Sequence, residues 1–67
     1  MISLMVNGKP RELPAPMGLQ EFLRLLDVRS QFVAVGYNGE VLDKKDFDRI
    51  VLREGDVLEI VRPVGGG

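Results

Sequence analysis

Two Asn-Gly dipeptides, Asn7-Gly8 and Asn38-Gly39, restrict this chain more than any other feature. The two-residue hairpin loop that matches the twist of its strands needs positive φ at both central positions, and asparagine and glycine reach that region at low cost. Each dipeptide therefore predicts a hairpin. Before the first, Ile2, Leu4 and Val6 alternate with Ser3, Met5 and Asn7, the period of a strand with one buried face. Residues 9–13 then return as an antiparallel strand. Pro10 and Pro14 cannot donate to a ladder, which makes this strand short and places it at a sheet edge. Ahead of the second dipeptide, the run from Phe32 to Tyr37 is almost continuously apolar and rich in β formers, as in an interior strand. Glu40-Val41-Leu42 can be only a short return.

Between the hairpins the spacing changes. Pro14 to Gly18 reads as a connection, with Gly18 as a helix N-cap and Glu21 placed to reach back to it. A helix to about Asp27 follows, because Leu19, Phe22, Leu23 and Leu26 fall at i, i+3, i+4 and i+7 in one apolar stripe, with Leu25 at its margin. A domain of 67 residues buries only about 60% of the surface that its unfolded chain exposes, so it needs this stripe for its own core. Asp43 to Phe47 is a polar turn or single helical turn anchored by Phe47. Arg53-Glu54-Gly55-Asp56 is a third turn signal, and Val57 to Val61 is the last strand. In it Leu58 and Ile60 share one face, and Val57, Glu59 and Val61 share the other. Pro63 ends regular pairing.

This order of elements predicts an α+β domain, with one main helix packed across one face of a mixed sheet of four to five strands. The apolar first and last strands would lie side by side in its middle. That arrangement is the β-grasp, the ubiquitin-like architecture. Residues 1–62 are expected to form the domain and 63–67 a flexible tail.

Composition removes most chemistry from the body. With nine basic and ten acidic residues, no basic stripe is present to track a nucleic acid. Cysteine and histidine are both absent, which excludes a disulfide framework, thiolate metal sites and the usual nucleophile–base pairs. No membrane span or leader is visible, and a cytoplasmic location is expected. What remains is the end, Val64-Gly65-Gly66-Gly67. A glycine run can thread a passage too narrow for other residues, and from Pro63 onward it reaches roughly 16 to 18 Å when extended. A terminal α-carboxylate on Gly67 could enter another protein's active site and become an acyl donor.

Three stretches carry a family resemblance: Val33-Ala34-Val35 through Tyr37-Asn38-Gly39-Glu40-Val41, then Arg53-Glu54-Gly55-Asp56-Val57-Leu58-Glu59-Ile60-Val61-Arg62, and finally Val64-Gly65-Gly66-Gly67. Together they resemble the ThiS family of sulfur carriers of thiamine biosynthesis, and the likeness spans essentially the whole chain. Gly18 stands where a threonine cap is usual in the family, and Phe47 where tryptophan is common.

The resemblance implies a carrier and not an enzyme. It implies that an E1-like adenylyltransferase of the ThiF type adenylates Gly67 using ATP and magnesium of its own, the carrier binding no cofactor or metal. A persulfide donor such as a cysteine desulfurase would supply sulfur, and the thiocarboxylate would serve a thiazole synthase of the ThiG type. Gly66, Gly65 and Val64 would form the arm that partners grip. Val57, Glu59 and Val61 would belong to an exposed, partly apolar docking face, and the free chain would be a monomer. A MoaD-type carrier for molybdopterin synthesis stays open as a second reading, supported by Pro63-Val64 before the glycines. An interaction module with an inert tail is the third.

Overall fold

The computed structural model describes residues 1–62; residues 63–67, which include the tail positions Val64, Gly65, Gly66 and Gly67, lie outside the described residues. Both Asn-Gly dipeptides form the turns their chemistry demands. Asn7 and Gly8 have φ of 52° and 80°, and Asn38 and Gly39 have φ of 50° and 90°. The first turn joins β1 (Ile2–Val6) to β2 (Lys9–Leu13), and the second joins β4 (Ala34–Tyr37) to β5 (Glu40–Val41). With the last strand, β7 (Val57–Val61), they make one five-stranded sheet in the order β2-β1-β7-β4-β5. The proline-bearing β2 is an edge strand, as predicted. β1 and β7 run parallel side by side in the centre, with Met5 opposite Val57 and Val6 opposite Leu58. This is the mixed sheet of a β-grasp domain.

One α-helix, α1 (Leu19–Leu25), supplies the second layer. Leu19, Phe22 and Leu23 are buried, and they meet Leu4, Leu13, Val35, Phe47, Leu52 and Leu58 in a single core. Full burial of each such side chain contributes about 1.5–3 kcal/mol, so this cluster is the main source of stability. Leu25 is exposed, in keeping with its place at the edge of the stripe. Arg11 projects from β2 over the Phe22 ring at 5.5 Å, closing the core at the sheet edge.

Four local expectations need correction. The helix ends at Leu25 and not near Asp27, because Asp27 takes a left-handed φ of 59° that cannot continue a helix. Gly18 is the N-cap, but no side chain caps that end. The segment before it is not a plain connection: β3 (Met17–Gly18) pairs with β6 (Val51–Leu52) in a separate two-stranded ladder. Phe32 is not in the interior strand. It lies in a 3-10 turn, Ser30–Phe32, and is 58% exposed, while burial begins at Val33. The polar stretch after β5 is a 3-10 helix, Lys44–Arg49, whose Phe47 is buried as anticipated. The Lys44 ammonium donates to the Gln31 carbonyl, which ties the two 3-10 segments together.

Candidate interaction surface

Strand β7 leads to residues 63–67, and both hairpin turns hold it. Beyond the end of β1, Asn7 donates its backbone N–H to the Leu58 carbonyl at 2.9 Å, and its side-chain oxygen accepts the Ile60 N–H at 2.7 Å. On the opposite edge of β7, Asn38 donates its backbone N–H to the Val57 carbonyl at 2.8 Å, and its Oδ1 accepts the Val57 N–H at 2.8 Å. The positive φ that admits asparagine to each turn also aims its amide at β7. Sequence reasoning identified the turns but not these bonds, which join residues 53 and 19 positions apart.

A carboxylate completes the second clasp. Asp56 accepts hydrogen bonds from the Tyr37 hydroxyl at 2.7 Å, the Asn38 amide at 3.2 Å and the Arg53 N–H at 2.8 Å. Partial burial alone would raise the pKa of Asp56, but these hydrogen bonds, led by that from Tyr37, and the nearby Arg53 charge outweigh it and leave the carboxyl below its ordinary value. Tyr37 moves upward, first through burial and then through its bond to the Asp56 carboxylate. The group locks the β4–β5 turn to the start of β7.

The sheet face turned away from α1 presents Val57, Glu59 and Val61 in one row. All three are exposed, Val57 at 45% and Val61 at 57%. Register sets their neighbours: Met5 lies beside Val57, Gly36 beside Glu59 and Ala34 beside Val61. Val41, 83% exposed, pairs with Gly36 from the far side. Because Gly36 and Ala34 are small, a shallow groove of about 210 Å³ runs between Val41 and the β7 row. Met5, Ala34, Gly36 and Val41 were not singled out from sequence as part of this face. Period-two alternation was the available signal, and the continuous apolar run of β4 hid it. The predicted docking residues are thus brought together on one face.

Among the described residues, no group of three or more histidine, cysteine, aspartate or glutamate side chains could hold a metal ion, and no helix is long and apolar enough to cross a membrane.

The family model described as the ThiS family matches residues 4–67. The chain belongs to the ThiS family. The sulfur carrier protein ThiS of Bacillus subtilis is 34% identical over 65 residues that cover 96% of this chain and 98% of that protein. The crystal structure of the thiamine biosynthesis protein ThiS from Geobacter metallireducens superposes with a TM-score of 0.85 at 36% identity, covering 98% of this chain and all of that one. A thiazole synthase of Paramagnetospirillum magneticum is 38% identical over 66 residues, but the chain spans only about a fifth of its length, 20%. ThiS-like architecture and the five-stranded sheet described above therefore agree.

Proposed function

We propose that this ThiS-family chain is a sulfur carrier in the formation of the thiazole moiety of thiamine, with Gly67 as the loaded residue. The observation that carries this reading is the extent of the family match, which runs past β7 through Gly65, Gly66 and Gly67. A carboxylate is a poor acyl donor because oxide is a poor leaving group. Attack of the Gly67 carboxylate on the α-phosphorus of ATP, with loss of pyrophosphate, gives an acyl adenylate whose leaving group is AMP. A persulfide sulfur then displaces AMP to give an acyl disulfide, and a second thiol attacks the donor-side sulfur, breaking the S–S bond, forming a disulfide with the donor and releasing the terminal thiocarboxylate. An E1-like enzyme of the ThiF type holds ATP and magnesium for these steps, and a persulfide donor such as a cysteine desulfurase provides the sulfur. The carrier is a cosubstrate, consistent with the lack of cysteine and histidine in its sequence.

Thiazole synthase receives the sulfur. Support comes from the Paramagnetospirillum thiazole synthase, which contains a stretch similar to 98% of this chain. Two units joined in one protein in one organism commonly act on one another where they are separate. The exposed row of Val57, Glu59 and Val61 is the docking face, and Val64, Gly65 and Gly66 form the arm that enters each partner's active site.

Reconstitution tests the assignment. The activated chain is offered separately to thiazole synthase with its sugar phosphate and imine substrates, and to the large subunit of molybdopterin synthase. Thiazole phosphate is expected from the first, and product from the second alone would overturn the reading. Removal of Gly66 and Gly67 is expected to abolish loading.

A further inference from the structure

We propose that Glu59 selects the surface that covers this face: the contact patch of thiazole synthase is apolar and presents a lysine or arginine to the Glu59 carboxylate. The inference rests on the docking role assigned above to the β7 row, and it adds the chemistry of the occupant. Glu59 is the one charged residue in that row, set between Val57 and Val61. Its cross-strand neighbour is Gly36, and the residues paired with Val57 and Val61 are the uncharged Met5 and Ala34.

Among the described residues, no internal counter-charge lines the space on either side of it. The groove on the β4 side of Glu59 and the hollow on its β1 side are both lined without lysine or arginine. Exposed to water, a lone carboxylate is well solvated. Covered by an apolar partner, it loses that solvation and becomes the least favourable group in the contact unless a cation meets it. A partner ammonium or guanidinium turns the same group into a charge-assisted hydrogen bond.

The groove fits such a side chain. Gly36 leaves its floor open beside the carboxylate; a Cβ there would already lie 3.7 Å from the Glu59 Cβ. Val41 and Ala34 offer apolar walls for the methylene stem of a lysine or arginine. Glu40 borders the same groove and adds a second negative charge, favouring a cation further. A second copy of this chain is the poorer occupant, since two-fold pairing centred on the row sets Glu59 against its own copy.

Calorimetric titration of thiazole synthase with the full chain and with Glu59→Gln and Glu59→Lys, at low and raised salt, tests this. Both substitutions are at an exposed strand position, and circular dichroism checks that each variant is folded. Binding is expected to weaken about tenfold for Glu59→Gln, with a shallower salt dependence, and about a hundredfold for Glu59→Lys. Glu59→Gln binding as tightly as the unaltered chain, or more tightly, would overturn the proposal while leaving the docking face intact. Failure of the unaltered chain itself to bind would instead overturn the docking reading, and the proposal with it.

Discussion

The side-chain oxygen of Asn7 accepts the backbone N–H of Ile60 at 2.7 Å, so the turn that closes the first hairpin also holds the strand that leads to the C-terminal glycines. Asn38 does the same for Val57 from the other side. A single residue type at two turns thus satisfies a conformational need and a hydrogen-bonding need together. Asn7→Gly keeps the positive φ but loses the side-chain acceptor, and is expected to cost about 0.5–1.5 kcal/mol. Asn7→Ala adds the left-handed strain of an alanine, roughly 1–2 kcal/mol more. Urea denaturation measures both losses, and hydrogen exchange should show the Ile60 amide as the one most accelerated in each variant.

Stability should depend on pH through Asp56 and Tyr37. The Asp56 pKa is lowered in the folded protein, so its contribution is complete above the ordinary carboxylate range and is lost as pH falls through the folded value. The Tyr37 pKa is raised, so its contribution is complete below 10.0, the unperturbed value, and is lost as pH climbs past that through the folded value. Between the two limbs lies a plateau. Asp56→Asn is expected to flatten the acid limb and to destabilise the protein at neutral pH by about 1–3 kcal/mol, because hydrogen bonds to a charged acceptor are replaced by weaker ones. Denaturation midpoints followed from acid to alkaline pH check both limbs.

Much of this architecture was legible in the residues. The Asn-Gly turns, the stripe of Leu19, Phe22 and Leu23 and the edge position of β2 each follow from strong local chemistry, and the central β1–β7 pair from the apolar character of the first and last strands. What escaped was set by partners distant in sequence. The β3–β6 ladder is two residues long on each side and too short to show a period. Phe32 carries the composition of a strand, but it is taken up by a 3-10 turn whose Ser30 carbonyl accepts the Val33 N–H. Asp56 read only as part of a turn, since nothing near it foretells Tyr37 and Asn38, which meet it across 19 and 18 positions. The outer face was half legible: β7 alternates openly, whereas Ala34 and Gly36 are small residues inside an apolar run.

Narrowing the groove should separate stability from docking. At Gly36 an added Cβ would meet only ordinary contacts, at 3.7 Å from the Glu59 Cβ and 4.0 Å from the Glu40 carbonyl oxygen. Gly36→Ala is therefore expected to leave stability unchanged or raise it by roughly 0.4–1 kcal/mol through reduced freedom of the unfolded chain. The same change narrows the groove beside Glu59, and binding to thiazole synthase should fall about tenfold. Thermal unfolding and calorimetry on the one variant give both answers.

Glu59 should also keep the free chain from pairing with itself. With Val57, Val61 and Val41 exposed around it, an uncharged residue would complete an apolar patch. Glu59→Val is expected to self-associate at concentrations where the unaltered chain sediments as a monomer. Sedimentation velocity over a range of concentration decides this, and equal behaviour of the two proteins would refute it.

Loading of the terminal carboxylate is the claim on which the account turns, and intact mass spectrometry tests it most directly. The purified chain is incubated with an E1-like adenylating enzyme, ATP, magnesium and a persulfide donor, then weighed and fragmented. The prediction is a mass gain equal to one sulfur in place of one oxygen, localised to Gly67 and lost when ATP is omitted. An unchanged mass, under conditions in which the Bacillus subtilis carrier is converted, would contradict it.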